Sequence, residues 1–255
     1  MIIAKKERIK VLHNERIEEG IYDLWLAAGD MATSAKPGQF LSLYCNSGGR
    51  LLPRPISICE LDKKEKKIRL VYRVVGEGTK EFAGLRPDDY IDCMGPLGNG
   101  FTLGGKKALI IGGGIGIPPL LELAKQLTCE KDIVLGYRDV TFLDKDFENY
   151  GNIYISTEDG SVGTKGNVID AIREHDLSAD IIYSCGPTPM LRGVKEFANV
   201  NNIKAQLSLE ERMACGIGAC LGCVCQSTDI DHHSNVNNKR ICKEGPVFYA
   251  NEVII

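Results

Sequence analysis

Four cysteines in the C-terminal quarter of the chain have the spacing of metal ligands. Cys215, Cys220 and Cys223 form a C-x4-C-x2-C run, and Cys242 follows after a polar loop. This is the spacing with which plant-type proteins hold a [2Fe–2S] cluster through four thiolates. The glycines within 216–222 have no side chains, so their backbone can curl around such a cluster. A cluster of this kind transfers single electrons, so the sequence predicts a redox protein with further sites for a donor and an acceptor.

Zinc is the main alternative, because four cysteines also suit a tetrahedral zinc ion. Zinc sites usually consist of two C-x2-C pairs, and the four-residue first spacing and the isolated Cys242 fit that pattern poorly. A Rieske-type site would use two histidines, but His232 and His233 are adjacent in a polar loop, which favours solvent exposure. Cys225 lies a full strand repeat beyond Cys223 and is left out of the predicted ligand set.

A glycine-rich turn predicts a second site. The run 112–119 follows a buried strand and opens a helix, where backbone N–H groups can hold a diphosphate. Gly113, Gly114 and Gly116 are the candidate cofactor-binding residues. The run is not a complete dinucleotide fingerprint, because Ile117 stands where the third glycine is expected. Tight packing between the strand and the helix is therefore an equal alternative.

A cysteine at the end of another strand is the candidate partner of that turn. Cys185 is followed by Gly-Pro, directly after the apolar run 180–184. The thiol is therefore expected at the carboxyl edge of a parallel sheet, where open α/β sheets bind their ligands. The alternative is an ordinary strand-to-helix turn, with Pro189 in the first helical turn.

Polar residues of the first hundred positions suggest a phosphate site. Arg54 and Ser57 lie at the start of one strand, and Tyr72 and Arg73 lie on the clearest strand of the region. Thr79 can cap a short helix whose first N–H groups are then free to bind phosphate. Two arginines beside a capped helix would suit a diphosphate cofactor, although arginines at strand edges are usually solvated.

The elements that must position these residues change in type along the chain. Short alternating strands at 39–44, 55–59 and 67–75 predict an antiparallel barrel or sandwich. Strands then alternate with helices from about residue 105, which predicts a parallel sheet. Glycine and cysteine dominate from about residue 206. We therefore expect domains at 1–102, 103–205 and 206–255, of mixed β and α/β class.

Composition narrows the function classes. The chain has 255 residues and a net charge of −3, which gives no reason to expect nucleic-acid binding. It contains no apolar run of membrane-spanning length and no apolar segment of signal-peptide type after its N-terminal charges. We therefore expect a cytoplasmic protein whose ten cysteines are reduced. The cysteines outside the metal motif that lie in apolar surroundings are expected to be core residues: Cys45, Cys59, Cys93 and Cys129.

The order of these motifs resembles the ferredoxin reductase superfamily. The resembling pieces are Arg-x-x-Ser at 54–57, Gly-x-Gly-Thr at 76–79, the glycine-rich turn at 112–120 and Cys-Gly-Pro-x-x-Met at 185–190. The run 207–225, together with Cys-Lys-Glu-Gly-Pro-Val-Phe at 242–248, is similar to the electron transfer subunits of B-type dihydroorotate dehydrogenases. The resemblance covers essentially the whole chain.

The resemblance implies three cofactor sites in one chain. It implies a barrel that binds FAD, a Rossmann-like α/β domain that binds NAD, and a C-terminal domain with a [2Fe–2S] cluster on Cys215, Cys220, Cys223 and Cys242. It also implies that Ser57 lies near the reactive edge of the flavin and Cys185 near the nicotinamide. The residues implied to line FAD are Arg54, Pro55, Ile56, Ser57, Val71, Tyr72, Arg73, Gly78 and Thr79. Ile56 replaces the aromatic residue frequent in flavin reductases, so aliphatic packing is expected there.

The resemblance further implies a partner. In this family an FMN-containing catalytic subunit oxidises dihydroorotate to orotate in pyrimidine (UMP) biosynthesis, and the assembly is expected to be a heterotetramer with two copies of each subunit. Electrons are then expected to pass through the cluster and FAD to NAD. Two alternatives stay open: an NAD(P)H-dependent ferredoxin or sulfide reductase subunit with the same cofactors, and a zinc-stabilised binding protein with a vestigial nucleotide fold.

Overall fold

The computed structural model describes residues 5–230 and 235–255. His232 and His233, weighed above as possible ligands, lie outside this part of the chain. Three sheets organise the described residues: a closed barrel, a seven-stranded sheet and a three-stranded sheet. No helix in the described ranges is both long and apolar enough to cross a bilayer.

The N-terminal part is a closed antiparallel barrel, as expected. Its strand order is β1-β2-β5-β4-β3-β6. The six strands are β1 (Lys5–Glu18), β2 (Ile21–Ala27), β3 (Phe40–Tyr44), β4 (Arg54–Asp62), β5 (Lys67–Arg73) and β6 (Tyr90–Leu97). Two short helices lie between strands, α1 (Asp30–Ser34) and α2 (Glu77–Ala83).

Period-two alternation sorts the barrel side chains into an inner and an outer set. On β3, Leu41 and Leu43 point into the barrel core, whereas Phe40 packs outward with residues of the C-terminal half. On β5, Leu70 points inward and Val71 packs outward against the α/β part of the chain. The outer wall made by β3, β4 and β5 is therefore an internal surface of the molecule.

The middle of the chain forms the predicted parallel sheet. The strand order is β10-β9-β8-β7-β11-β12-β15, and only the β12–β15 pair is antiparallel. The strands from this region are β7 (Lys107–Gly113), β8 (Glu130–Tyr137), β9 (Asn152–Thr157), β10 (Thr164–Lys165), β11 (Ile181–Cys185) and β12 (Lys204–Ser208). The helices are α3 (Pro118–Gln126), α4 (Val168–Glu174) and α5 (Thr188–Val200).

Both faces of this sheet are covered, which explains its continuous apolar strands. Ile110 of β7 packs with residues of α3 on one face. Its neighbours Leu109 and Ile111 pack with residues of α4 and α5 on the other face. The sequence pattern predicts helices at 118–127 and 166–175, and α3 and α4 lie close to these bounds.

The C-terminal segment builds a small sheet and also extends the large one. The small sheet has the order β14-β13-β16, formed by β13 (Val224–Ser227), β14 (Asn238–Arg240) and β16 (Val253–Ile254). Strand β15 (Val247–Tyr249) lies between β14 and β16 in sequence but pairs with β12. The segment that carries the cysteine motif is therefore stitched into the α/β sheet.

A buried cluster of charges joins the barrel to the α/β part. Arg69 of β5 donates from Nε and Nη2 to the Asp23 carboxylate, and from Nη1 to Asp146 Oδ1 at 2.6 Å. Glu122 of α3 accepts a hydrogen bond from the backbone N–H of Leu61, at 2.8 Å. Arg69, Asp23 and Glu122 are all less than 10% exposed. These directional contacts fix how the barrel sits on the sheet.

The charge cluster predicts a large stability loss for Arg69→Ala. The substitution leaves the Asp23 carboxylate buried without its counter-charge, and breaking a buried ion pair in this way costs about 3–5 kcal/mol. The free energy of unfolding in urea measures the loss.

Lys66→Ala is the matched control, because it removes the exposed ion pair with Asp30 at 3.1 Å. Such surface pairs contribute about 0–1 kcal/mol. Equal unfolding free energies for the two variants would contradict a structural role of the Arg69 cluster.

Candidate functional site

The predicted flavin strand begins with residues whose side chains face different ways. Pro55 and Ser57 of β4 pair with Ser42 and Phe40 of β3, so these side chains lie on the outer wall of the barrel. Ile56 packs toward the barrel core instead. The expected aliphatic packing of Ile56 on the flavin ring is therefore wrong, because this side chain belongs to the barrel interior. Pro55 and Ser57 face the internal surface instead.

The second predicted flavin strand shows the same alternation. Tyr72 is 1% exposed inside the barrel, where its ring lies 6.0 Å from that of Tyr22. Its ring is therefore not available to a cofactor outside the barrel. The backbone of Tyr72 is the part that such a cofactor could contact. Val71 faces outward and shares a core with residues of the glycine-rich turn, and Arg73 is exposed.

Arg54 and the start of α2 lie together. The Arg54 guanidinium lies directly against Gly78, where a Cβ atom would displace it, and Nη1 donates to the backbone oxygen of Leu52. Thr79 Oγ1 accepts hydrogen bonds from the backbone N–H groups of Val75 and Gly76, at 3.0 and 3.2 Å. Contrary to the expectation from the sequence, Thr79 is therefore not the first cap of the helix: Gly76 precedes α2, and Thr79 holds that turn from the third helical position. The positive charge of Arg54 stands beside it.

The glycine-rich turn packs against the Cys185 turn. A Cβ atom on Gly116 would lie 2.5 Å from the Cys185 carbonyl oxygen, and Gly113 lies equally tightly against Met190. Gly114 has a φ of +51°, which favours glycine. The two turns follow neighbouring parallel strands, β7 and β11, and so form one edge of the sheet. Close packing and a ligand site at this edge are therefore compatible.

Cys185 keeps its proton at neutral pH. Burial raises the pKa of this thiol to about 12, against the opposing effect of a hydrogen bond with Ser208. A neutral thiol at the carboxyl edge suits apolar contact with a ring better than nucleophilic attack, which requires a thiolate. The thiol is therefore not poised as a nucleophile, and its place beside a nicotinamide stays a prediction.

The four cysteines of the motif stand as two pairs. The Cys242 N–H donates to Cys223 Sγ at 3.4 Å, and hydrogen bonds from Cys220 lower the pKa of Cys215. In the described ranges, no three His, Cys, Asp or Glu side chains gather around one metal position. A [2Fe–2S] cluster has two irons and four protein ligands, hence two thiolates on each iron. Two pairs of thiols fit that donor set.

Backbone N–H groups point at the sulfur atoms. Gly218 N–H donates to Cys242 Sγ at 3.0 Å, and Ala219 N–H donates to Cys215 Sγ at 3.3 Å. Burial raises the pKa of Cys215, but hydrogen bonds from the backbone of Ile217, Cys220 and Ala219 outweigh it and lower the pKa to about 6. The loop thus stabilises negative sulfur at Cys215, as a thiolate ligand to iron requires, whereas burial and the adjoining Cys223 raise the pKa of Cys242 to about 12. Cys225, left out of the ligand set, is half-buried in the neighbouring core.

The loop that holds these cysteines rests on the barrel. Gly216 has a φ of +70°, and a Cβ atom there would lie 2.8 Å from Ser42 Oγ and 3.5 Å from a Leu97 methyl group. Cys223 and Cys242 share one apolar core with Phe40 and Leu97. The outer wall of the barrel is therefore in direct contact with the predicted cluster site.

Sequence reasoning missed two residues of this site. Arg240 Nη1 donates to the Gly218 carbonyl at 2.9 Å and its Nη2 pairs with Glu244 at 2.5 Å, so it ties the three-cysteine loop to the Cys242 loop. Ser42 lies under Gly216. Neither had a local signal, because a serine in an alternating strand and an arginine in a polar turn are both common. A short spacing between Arg240 and Cys242 was the one available hint.

Comparison with known proteins agrees with this geometry. A model described as the iron–sulfur cluster binding domain of dihydroorotate dehydrogenase B matches residues 210–254, and a model of the oxidoreductase FAD-binding domain matches residues 8–101. Among solved structures, that of an NADH-dependent reduced ferredoxin–NADP oxidoreductase has a TM-score of 0.87 and 28% identity, covering 96% of this chain and 89% of that one. A ferredoxin reductase of carbazole 1,9a-dioxygenase, at 19% identity and a TM-score of 0.67, shares the fold over 79% of this chain and 67% of that one.

Curated relatives match over nearly their full length. The dihydroorotate dehydrogenase B (NAD(+)) electron transfer subunit of Geobacillus sp. (strain WCH70) is 43% identical, covering 99% of this chain and 100% of that protein. The protein with the same name from Listeria monocytogenes serotype 4a (strain HCC23) is 44% identical, covering 96% of this chain and 97% of that protein. Identity at this level over whole chains, with both domain models matched in order, shows that the chain belongs to the family of dihydroorotate dehydrogenase B electron transfer subunits.

Proposed function

We propose that this chain carries electrons from an FMN-containing dihydroorotate dehydrogenase subunit, through a [2Fe–2S] cluster and FAD, to NAD⁺ in pyrimidine biosynthesis. The names of the relatives support the reaction. The observation that carries the proposal is that the three predicted cofactor sites meet on one outer wall of the barrel.

The convergence follows from neighbouring strands. Ser42 of β3 lies against the cysteine loop, and its antiparallel partner Pro55 of β4 belongs to the predicted flavin site. The next strand, β5, presents Val71 to the glycine-rich turn at 114–116. Strands β3, β4 and β5 are adjacent in the barrel. A flavin on the central strand would thus have the cluster on one side and the nicotinamide site on the other.

The chemistry requires this order. A bound flavin can take up electrons singly and release them as a hydride, which is the only form that NAD⁺ accepts. Four thiolates, Cys215, Cys220, Cys223 and Cys242, are assigned to the iron atoms. Pro55 and Ser57 are assigned to the flavin ring, with Arg54, Gly78 and Thr79 at its diphosphate. Val71, Tyr72 and Arg73 contribute backbone or edge contacts, and Ile56 supports the site from inside the barrel.

The nicotinamide site is assigned to the carboxyl edge of the sheet. Gly113, Gly114 and Gly116 are assigned to the ligand diphosphate. Gly114 has open space where a Cβ atom would stand, so its backbone can approach the ligand closely, while Gly113 and Gly116 seat the turn against Met190 and Cys185. The neutral Cys185 thiol lies beside them and supplies a small, polarisable contact for the nicotinamide ring. Nothing in this chain needs to act as a general base, because dihydroorotate oxidation is assigned to the partner subunit.

The partner is proposed to dock at the cysteine loop. Ile217 and Leu221 lie between the proposed ligand cysteines in the sequence. Both side chains are apolar, yet they are 50% and 63% exposed. Exposed apolar side chains around a redox centre suit an interface that excludes water. We propose a heterotetramer with two copies of each subunit, located in the cytoplasm. We also propose that the cofactors divide among residues 1–102 for FAD, 103–205 for NAD and 206–255 for the cluster.

A ferredoxin oxidoreductase function is the second candidate. It is favoured by the 28% identity and the TM-score of 0.87 to the solved NADH-dependent ferredoxin–NADP oxidoreductase. Anaerobic stopped-flow measurements distinguish the two. We expect dihydroorotate with the copurifying FMN subunit to reduce the cluster and FAD. Reduction by ferredoxin alone, with none by dihydroorotate, would assign the second function.

We predict that Cys220→Ser abolishes electron transfer through the cluster but leaves FAD bound. Cys220 is one of two thiols in its pair, so its loss removes half of the protein ligands of one iron. EPR of the reduced protein measures the cluster, and the flavin absorbance per chain measures FAD. NADH oxidation by an artificial two-electron acceptor should continue in this variant, because that route bypasses the cluster.

Cys225→Ser is the matched control, since Cys225 lies two residues from Cys223 and outside the proposed ligand set. It should keep the EPR signal. A normal signal in Cys220→Ser would overturn the ligand assignment, and loss of FAD in that variant would show that the cluster segment is structural.

We also predict that Arg54→Ala weakens FAD binding by about 10- to 100-fold. A charge-assisted hydrogen bond of this kind contributes about 1.5–3 kcal/mol. Flavin fluorescence during titration of the FAD-free protein measures the dissociation constant.

Arg16→Ala serves as the control, because Arg16 is an exposed arginine on the same barrel and its Nε donates only to the nearby Glu18 carbonyl. FAD should bind this variant with unchanged affinity. Equal affinities of the Arg54→Ala variant and the unmodified protein would remove Arg54 from the flavin site.

A further inference from the structure

A buried hydroxyl without a partner lies under the cysteine loop. Ser42 is 0% exposed, and its Oγ makes no hydrogen bond to the described residues. A buried hydroxyl left without a partner costs about 1–3 kcal/mol. Alanine would fill this outward-facing packed position without a polar atom, so a serine there needs another explanation.

The position of this hydroxyl places it against the cysteine loop. The nearest atom to a Cβ built on Gly216 is Ser42 Oγ, at 2.8 Å. Gly216 directly follows the ligand Cys215 and is itself buried. The hydroxyl thus lies directly beneath the loop backbone. A side chain at position 216 would need the same space.

The described residues around Ser42 leave its hydroxyl without a hydrogen-bond partner. The backbone groups of β3 are paired with β4 and β6 in the barrel ladder. Leu97 and Phe40, which adjoin Ser42 on the outer wall, are apolar. The electron-rich sulfur atoms of a [2Fe–2S] cluster in the loop are acceptors that the hydroxyl lacks in the chain alone.

We propose that Ser42 Oγ–H donates a hydrogen bond to a sulfur atom of the [2Fe–2S] cluster, on the Cys215 side, and thereby raises the reduction potential of the cluster. The proposal rests on the proposed function, because it requires the cluster. Reduction adds negative charge to the sulfur atoms, so a donor stabilises the reduced state more than the oxidised state. Ser42 would thus contact the cluster directly, at the place where the outer wall of the barrel meets the cysteine loop.

The test is an EPR-monitored redox titration of the full chain, purified with its cofactors, as the unmodified protein and as Ser42→Ala. We expect the ratio of reduced to oxidised cluster at a given potential to fall about tenfold in the variant. For a one-electron couple this is a potential about 59 mV lower. The flavin potential, followed by visible absorbance in the same titration, should stay unchanged.

Ser156→Ala is the matched control. Ser156 Oγ on β9 is also fully buried and without a partner, but it lies in the α/β sheet and not on the barrel wall. The same chemical change there should leave the cluster potential where it is. Ser42→Thr keeps the hydroxyl, so its cluster potential should stay closer to that of the unmodified protein than to that of Ser42→Ala.

Each outcome bears on a separate statement. An intact EPR signal with an unchanged potential in Ser42→Ala would overturn the proposed hydrogen bond. A shift of the flavin potential alone would assign the hydroxyl to FAD and would also overturn it. Absence of any cluster signal in the unmodified protein would instead contradict the proposed function. If Ser42→Ala does not fold, the Ser42→Thr variant decides. A cluster potential about 59 mV lower in Ser42→Thr than in the unmodified protein would overturn the proposal.

Discussion

The cysteine loop packs closely on the barrel wall, and this contact restricts the residue types on both sides of it. Gly216 can follow a ligand cysteine only because it has no side chain, since Ser42 and Leu97 fill the space below it. The left-handed backbone at Gly216 and Gly218 turns the loop so that its N–H groups face sulfur. A small residue on β3, glycines in the loop and an apolar floor of Phe40 and Leu97 are therefore parts of one constraint.

The charge cluster around Arg69 has a complementary role where β5 of the same wall meets the α/β part of the chain. Apolar packing alone is tolerant of small sliding movements, whereas a guanidinium held by several carboxylates has a defined direction. Arg69 contacts Asp23 within the barrel and Asp146 beyond it. Polar contacts thus help to set the spacing between the outer wall (β3, β4 and β5) and the glycine-rich turn. Packing sets the spacing between the same wall and the cysteine loop.

Much of this arrangement could be predicted from the sequence, because its signals are local. The cysteine spacing, the alternation of β3 and β5 and the strand–glycine–helix order each lie within 28 residues or fewer. The position of Ser42 under Gly216 depends on a contact between residues 174 positions apart, for which the sequence has no pattern. Tyr72 shows a subtler limit, because a motif predicts that its segment lies at the flavin, but only the barrel register decides that its ring points inward.

Strand β15 gives the C-terminal segment a second task. It covers the edge of the large sheet by pairing with β12, and Phe248 fills the core below. A chain shortened before this segment would lose the cysteines proposed as iron ligands and would also expose a row of unpaired N–H and C=O groups, which promotes edge-to-edge association of sheets. Cluster-free forms of the protein are therefore better obtained by substituting cysteines than by truncation.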